Sequence, residues 1–171
     1  MARKTEQVEV RMVAEYLKAQ YSKFPHITNQ PLGLVDESLL AKYGYSKGMG
    51  IQRPRRPIVD AIVILPNYLV MVEAKVWSVV NGLGKLPLYK SLVPLTPELK
   101  EYKPREVLME LVVGWTNPNL EVMARDVGVT IRVYCPDWLK EKVDTMQNYW
   151  TPQYRIARED KLRNRELLGL E

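Results

Sequence analysis

The sequence is poor in the residues that form disulfides or bind transition metals. Its 171 residues include one cysteine, Cys135, and one histidine, His26. A lone cysteine cannot form an internal disulfide, and zinc sites usually need several Cys and His ligands. The composition therefore excludes a disulfide-stabilised scaffold and argues against a zinc enzyme. We interpret His26 as a surface or core residue rather than a general base.

Long uncharged apolar runs are also missing. No stretch approaches the roughly 20 apolar residues that cross a bilayer, and the first dozen residues lack the apolar centre of a signal peptide. We therefore expect an intracellular protein with no membrane role. Hydrophobic residues make up 46% and charged residues 26% of the chain, which is typical of a soluble folded domain. The net charge of +5 favours polyanionic partners.

The most informative stretch spans residues 60–75, where two apolar runs meet at a Pro-Asn break. Such a pattern predicts a hairpin of two buried strands. If the loop at the break has an even number of residues, the residue numbers of every directly opposed pair add up to the same value. Asp60 should therefore lie opposite Glu73. Lys75 should return to the same face, because side chains alternate along a strand. One face of the hairpin is thus predicted to carry two carboxylates and a lysine.

The rest of the chain alternates helical and strand patterns, which predicts an α/β fold with a mixed sheet and helices on both faces. Residues 24–57 are rich in proline and glycine and predict mostly irregular structure. We expect a flexible bend at Gly82-Leu83-Gly84 and strands that include Trp77 and Trp115. The predicted helices are 5–22, 37–43, one that begins at Lys85 with Pro87 in its first turn, one from Asn117 to about Gly128, 137–146 and 155–168; the later strands are 106–115 and 129–134.

Composition predicts one domain, 1–146, followed by a tail. Residues 147–171 combine an aromatic segment with a highly charged terminal helix. The aromatic residues Tyr149, Trp150 and Tyr154 could stack on nucleic-acid bases or cover the core, and we favour the structural role.

The charged residues of the hairpin suggest a chemistry. A carboxylate among Val, Met and Ile side chains would be buried, and a buried charge is normally paired or bound to metal. Carboxylate oxygens suit Mg²⁺ or Mn²⁺, so Asp60 and Glu73 are candidate metal ligands. Lys75 could orient a water or stabilise charge on a phosphate oxygen. The combination is what metal-assisted phosphodiester hydrolysis requires.

The same residues resemble a known active-site signature. Ile58-Val59-Asp60, a short hairpin and Glu73-Ala74-Lys75 are similar to the motif of the PD-(D/E)xK nuclease superfamily, which includes restriction enzymes, Holliday-junction resolvases and RecB-type nucleases. The resemblance covers about residues 5–135 and implies a restriction-endonuclease-like αβββαβ core. It also implies DNA as substrate, and it allows a homodimer. The proline of the motif is displaced here, since Pro57 lies three residues before the aspartate.

The resemblance implies roles for individual residues. Asp60 and Glu73 would bind the divalent metal, and Lys75 would act on the attacking water or the phosphate. In many members a glutamate on the first helix joins the site, and by analogy we choose Glu9. Glu6 and Glu15 are its neighbours on that helix, and a solvated position for Glu9 is an equal alternative.

A further pair of positions is implied by the helix that follows the Glu-x-Lys strand. Family members often carry Gln-x-x-x-Tyr there. Lys85 stands in this chain where the glutamine would be, and Tyr89 where the tyrosine would be. Separately, Arg53, Arg55 and Arg56 precede Asp60 closely and could hold the phosphate backbone, or they could form a solvated loop.

Three functional hypotheses follow. The leading one is a nuclease that uses Mg²⁺ or Mn²⁺ to cleave DNA. The alternative is a nuclease-fold module without catalysis that serves as a DNA-binding or structural assembly subunit. The third is a protein-interaction domain whose tail, 147–171, docks on a partner.

Overall fold

The computed structural model describes residues 4–102, 105–147 and 152–169. The chain forms two compact units, Met1–Tyr134 and Cys135–Glu171. Across the described ranges, no helix is long and apolar enough to span a membrane. Tyr149 and Trp150, and the side chain of Tyr154, lie outside the described residues, and the boundary predicted at residue 146 stays a prediction.

Among the described residues, the first unit contains five α-helices and five strands, and the second unit contains two α-helices. In chain order the first unit runs α1 (Lys4–Tyr21), β1 (His26–Pro31), α2 (Glu37–Tyr43), α3 (Tyr45–Gln52), β2 (Ile58–Ile64), β3 (Tyr68–Lys75), α4 (Val79–Leu92), β4 (Glu106–Val113), α5 (Pro118–Asp126) and β5 (Val129–Val133); the second has α6 (Asp137–Gln147) and α7 (Pro152–Leu167).

The five strands form one mixed sheet in the order β1-β2-β3-β4-β5. The pairs β1–β2 and β2–β3 are antiparallel, whereas β3–β4 and β4–β5 are parallel. Helices flank the sheet, so the predicted α/β class with a mixed sheet is confirmed. The parallel pairs need crossover connections, which α4 and α5 supply.

The predicted register of the hairpin is confirmed. Ala61 pairs with Val72 and Ile64 with Leu69, so paired positions have the constant sum that an even-numbered loop requires. The amide of Leu65 donates to the carbonyl of Tyr68 at 2.9 Å and closes the loop.

The two faces of the sheet pack against different helices. Leu69 and Met71 of β3 belong to a buried cluster with Leu83 and Leu86 of α4. The other face carries Glu110 of β4, which the described contacts join to α1. Glu73 and Lys75 alternate with Leu69 and Met71 along β3 and therefore share the α4 face, at the end where β3 finishes.

Residues 24–57 are more regular than predicted. They contain a strand, β1, and a second short helix, α3, besides the expected α2. The strand is polar and pairs through its backbone, so it lacks the apolar alternation by which strands are recognised. In α3, Gly48 lies against α2, where a Cβ would come within 2.9 Å of the Leu39 carbonyl. A residue that reads as a helix breaker therefore serves helix packing.

The flexible bend predicted at Gly82-Leu83-Gly84 is wrong, because these residues lie inside the continuous helix α4. Pro87 is likewise inside that helix rather than in its first turn. Gly82 is needed for close packing, since a Cβ there would lie 2.6 Å from Leu111 Cδ1 and 2.9 Å from Lys75 Cγ. Tertiary packing here overrides local helix propensity.

The predicted strand ends were too late by about two residues. β3 ends at Lys75 and β4 at Val113, so Trp77 and Trp115 follow the strands rather than sit in them. Both indoles are half-buried, and Trp115 packs against the buried cluster.

The two glycines of α4 allow a matched test of this packing. Gly84→Ala should raise the free energy of unfolding by about 1 kcal/mol, because alanine favours helix and its Cβ would meet no atom within 4 Å. Gly82→Ala should give no such gain, because its Cβ would press on Leu111 and Lys75. Urea unfolding measures both values. Equal gains would contradict the close approach of α4 to the sheet.

Candidate active site

Asp60 lies in β2 at a break in the strand pairing. The pairing with β3 stops at Ala61, and the pairing with β1 skips the position opposite Asp60. The Asp60 carboxylate instead accepts a hydrogen bond from the Ala74 amide through Oδ2 at 2.8 Å. A side-chain oxygen thus satisfies a strand amide, and the carboxylate is fixed against β3.

The position of β1 opposite Asp60 is occupied by Asn29. Its φ of 51° is left-handed, while Thr28 and Gln30 on either side pair normally with β2. A non-glycine residue in this region is strained, and such strain is frequent at functional sites. Beside the kink is a cavity of ≈ 190 Å³, lined by Val10, Val13, Ala14, Thr28, Asn29 and Asp60.

Glu73 and Lys75 form the second part of the site. Glu73 is 2% exposed, and its Oε1 lies 3.1 Å from Lys75 Nζ. Its Oε2 is buried and has no hydrogen-bond partner among the described residues. A buried polar atom without a partner is costly, so this oxygen is a ready ligand for a cation.

Glu9 of α1, the glutamate chosen by analogy, contacts the end of β3. Its Oε2 accepts from Lys75 Nζ at 3.1 Å, and its Oε1 accepts from the Val76 amide at 3.2 Å. The Lys75 ammonium also donates to the Ala74 carbonyl at 2.8 Å. Its three hydrogens therefore face three acceptors: Glu73, Glu9 and Ala74.

The carboxylates and the lysine shift one another's pKa values. Burial and the neighbouring Asp60 raise the pKa of Glu73 to about 7, against the pull of Lys75. Burial also raises the pKa of Asp60, although the Ala74 amide opposes it. Burial alone would lower the pKa of Lys75, but the surrounding carboxylates outweigh it and raise that pKa. Lys75 is consequently a fixed cation at neutral pH rather than a proton acceptor.

Lys85 and Tyr89 also lie near the carboxylates. They are four residues apart in α4, so they share one face of the helix. Lys85 acts as a positive charge on both Asp60 and Glu73. Burial, Glu73 and Asp60 raise the pKa of Tyr89. The helix was predicted to begin at Lys85. Instead α4 begins at Val79 and continues through Pro87, so Lys85 lies inside regular helix and near the site.

The three arginines have different environments. Arg56 is buried, forms a two-pronged pair with Glu98 at 2.6 and 2.9 Å, and donates to the carbonyls of Pro31, Leu32 and Gly33. Its predicted role on a phosphate backbone is therefore corrected to a structural one. Arg53 is exposed and donates to the Asn29 carbonyl at 2.8 Å, and Arg55 is exposed.

Sequence reasoning missed a buried polar network on the other face of the sheet. Glu110 is 4% exposed and accepts from Tyr16 at 2.8 Å and Tyr21 at 2.9 Å, both on α1. Arg132 donates to its other oxygen at 3.0 Å. The signal was Glu110 within the otherwise apolar run 107–113. The network fixes α1 on the sheet, and α1 carries Glu9.

The donor set limits which metal could fit. Across the described ranges, no group of three or more His, Cys, Asp or Glu side chains is arranged to hold a metal ion. A cation that uses few protein ligands and keeps several waters, as Mg²⁺ does, needs only one or two carboxylates. The unpartnered oxygen of Glu73 beside Asp60 fits this requirement.

The structural role of Arg56 can be tested against its neighbour. Arg56→Ala should lower the free energy of unfolding by about 3 kcal/mol, because it leaves buried acceptors and Glu98 without their cation. Arg55→Ala, an exposed change, should alter it by less than about 0.5 kcal/mol. Chemical denaturation checks both. A similar small effect for the two variants would contradict the buried role.

The raised pKa of Glu73 predicts a pH dependence of stability. The unfolded chain releases this proton near the ordinary pKa of 4.5, and the folded chain near 7. Between these values the folded state binds more protons, so its stability falls as pH rises. Relative to Glu73→Gln, the wild type should lose about 3 kcal/mol across this window.

Denaturation of both proteins at several pH values measures the difference. Glu106→Gln, which removes an exposed carboxylate from β4, is the matched control. A constant difference between wild type and Glu73→Gln from pH 4.5 to 7 would contradict the burial of that carboxylate beside Asp60.

Comparison of the chain with models of known protein families, with curated proteins and with solved structures gives no match.

Proposed function

We propose that the chain is a Mg²⁺- or Mn²⁺-dependent nuclease that hydrolyses phosphodiester bonds of DNA, on a restriction-endonuclease-like fold. One observation carries the proposal: Asp60, Glu73 and Lys75 converge where β2 and β3 separate, and one buried oxygen of Glu73 has no partner in the part of the chain that the structure describes. The net charge of +5 supports a polyanionic substrate.

Asp60 and Glu73 would hold the cation. Asp60 uses Oδ2 for the Ala74 amide, which leaves Oδ1 for a ligand. Glu73 shares Oε1 with Lys75, which leaves Oε2. A divalent cation bound there supplies Lewis-acid stabilisation of phosphate charge and lowers the pKa of a bound water. Binding it requires both carboxylates to be ionised, so the raised pKa of Glu73 should make binding weaker below about pH 7.

Lys75 would act on the reacting phosphate as a positive charge. It is 13% exposed at the side chain, so it retains access to solvent while being held by Glu9 and Glu73. A fixed ammonium can donate to a non-bridging phosphate oxygen or orient the attacking water. Glu9 positions this ammonium and also fixes the end of β3 through Val76.

Lys85 would assist from α4. Its charge already acts on both carboxylates, and its side chain is exposed. An exposed cation next to the site suits contact with a phosphate of the substrate. Tyr89, one turn further on, would donate a hydrogen bond there, since its raised pKa keeps the phenol protonated.

A second candidate is a nuclease-fold module without catalysis that binds DNA or serves in an assembly. One observation favours it: the three hydrogens of the Lys75 ammonium are all satisfied within the chain. A lysine so enclosed can be purely structural, because it compensates the buried carboxylates.

Nuclease activity is the direct test. Linear duplex, single-stranded and branched DNA should be cut in the presence of Mg²⁺ or Mn²⁺, and EDTA should stop the reaction. Lys75→Ala should lower the rate by at least about 100-fold, as expected for loss of a charge at the reacting phosphate. Lys90→Ala, an exposed lysine of the same helix α4, should leave it unchanged. Activity that survives both EDTA and Lys75→Ala would falsify the proposal.

Calorimetric titration with Mn²⁺ separates the two candidates. A nuclease of this type should bind the ion at pH 8, and Asp60→Asn should abolish the binding heat. A chain that neither binds Mn²⁺ nor cuts any of the substrates belongs to the second candidate.

A further inference from the structure

The cavity of ≈ 190 Å³ beside Asp60 has an apolar wall that solvent can reach. This wall is the face of α1 that carries Val10, Val13 and Ala14, which are three and four residues apart and therefore neighbours on the helix surface. Val10 is 59% exposed, and Ala14 is exposed as well. An apolar occupant that covers this wall would be stabilised by the removal of apolar surface from water.

The kink of β1 forms another wall of the cavity. Thr28 and Gln30 pair with β2, whereas Asn29 between them is left out of the pairing. Its left-handed φ of 51° is a conformation that asparagine adopts more readily than most residues. Arg53 Nη2 donates to the Asn29 carbonyl at 2.8 Å and so holds the kinked backbone in place.

The Asn29 side chain is available for a ligand. In the part of the chain that the structure describes, its carboxamide has no hydrogen-bond partner. A carboxamide offers an acceptor oxygen and an NH₂ donor side by side in one plane, and the neighbouring Thr28 adds a hydroxyl that can donate or accept. The cavity lining therefore combines an apolar wall with polar groups that can bind the edge of a planar molecule.

The size and chemistry of the cavity fit a single nucleobase. Pockets that enclose drug-sized ligands have volumes of about 300–1,000 Å³, so a cavity of ≈ 190 Å³ is too small for a whole nucleotide. A base has apolar faces for the α1 wall and a polar edge for the carboxamide. Asparagine forms its bidentate base contact with adenine, at N6 and N7. A base stacked in a duplex cannot enter a cavity, so the occupant must be unpaired or flipped out.

We infer that this cavity binds one unstacked adenine base of the DNA substrate and that Asn29 selects it. The inference rests on the proposed function in taking DNA as substrate, and it narrows that substrate to DNA with an unpaired or extruded base. Asp60 lines the cavity and is also a candidate metal ligand, so a base bound there brings its own phosphate close to the cation. Arg53, which is exposed and bound to the Asn29 carbonyl, contacts the backbone beside that base.

Binding of single-stranded DNA by the full chain tests the inference. A fluorescein-labelled strand of thymidines and the same strand with one central adenosine are titrated in EDTA, so that no metal-dependent cleavage occurs. The strand with adenosine should bind at least about fivefold more tightly, which is the lower end of the discrimination given by a bidentate contact. A central guanosine should give no such gain, because its N7 and O6 offer no donor to the carboxamide oxygen.

Three variants locate the preference. Asn29→Gly removes the carboxamide but keeps the left-handed backbone, which glycine adopts freely, so it should abolish the preference for adenine and leave the affinity for the thymidine strand unchanged. Ala14→Leu, at an exposed position of α1 where leucine suits a helix, should weaken the preference by adding bulk to the cavity. The control Asn67→Gly removes the same side chain from the exposed hairpin loop and should retain the preference.

Equal affinity of the wild type for the thymidine and adenosine strands, or no binding of either, would overturn the inference. A preference that survives Asn29→Gly, or an equal gain from guanosine, would overturn it too, because the discrimination would then come from another group. Failure of the nuclease proposal is distinguishable. A chain that prefers adenine through Asn29 but cuts no DNA supports this inference and removes catalysis, whereas a chain that cuts DNA without this preference does the reverse.

Discussion

Two neighbouring carboxylates, the buried Glu73 and the half-buried Asp60, are the constraint on which the first unit depends. Asp60 and Glu73 stand opposite each other in the hairpin register, and burial raises the pKa of both. Such a pair is unstable without positive charge and hydrogen-bond donors. The Ala74 amide and the Lys75 ammonium provide them, one from the backbone and one from the side chain of β3.

The surrounding elements keep that compensation in place. Helix α1 contributes Glu9, which holds Lys75, and is itself tied to the sheet by the bonds of Tyr16 and Tyr21 to Glu110. Helix α4 approaches the sheet closely at Gly82. Because glycine has no side chain, there is room at this point for the aliphatic part of Lys75. Changes far from the carboxylates in sequence therefore act on them through two helices.

Much of this arrangement could be predicted from the sequence. Side chains alternate with a period of two along a strand, and the loop of the hairpin has two residues. These two facts are enough to predict that Asp60, Glu73 and Lys75 share one face. The resemblance to a nuclease signature led to Glu9, which the structure places on Lys75.

What could not be predicted depends on contacts distant in sequence. The pair of Arg56 with Glu98 joins residues that no local pattern relates, and a strand as polar as β1 is recognised only by its backbone pairing with β2. The glycines of α4 signal flexibility by propensity, whereas Gly82 serves close packing. Helix propensity describes the preference of an isolated segment, whereas tertiary packing determines which conformation that segment adopts in the folded protein.

The polar, kinked strand β1 has a consequence for how copies of the protein meet. It lies at one edge of the sheet, and an edge of regular strand offers unpaired backbone groups on which another chain can add a strand. The left-handed Asn29 interrupts that row in its middle, and Pro31, which has no N–H, ends it. This edge is therefore a poor template for β-addition, which disfavours aggregation through the first strand.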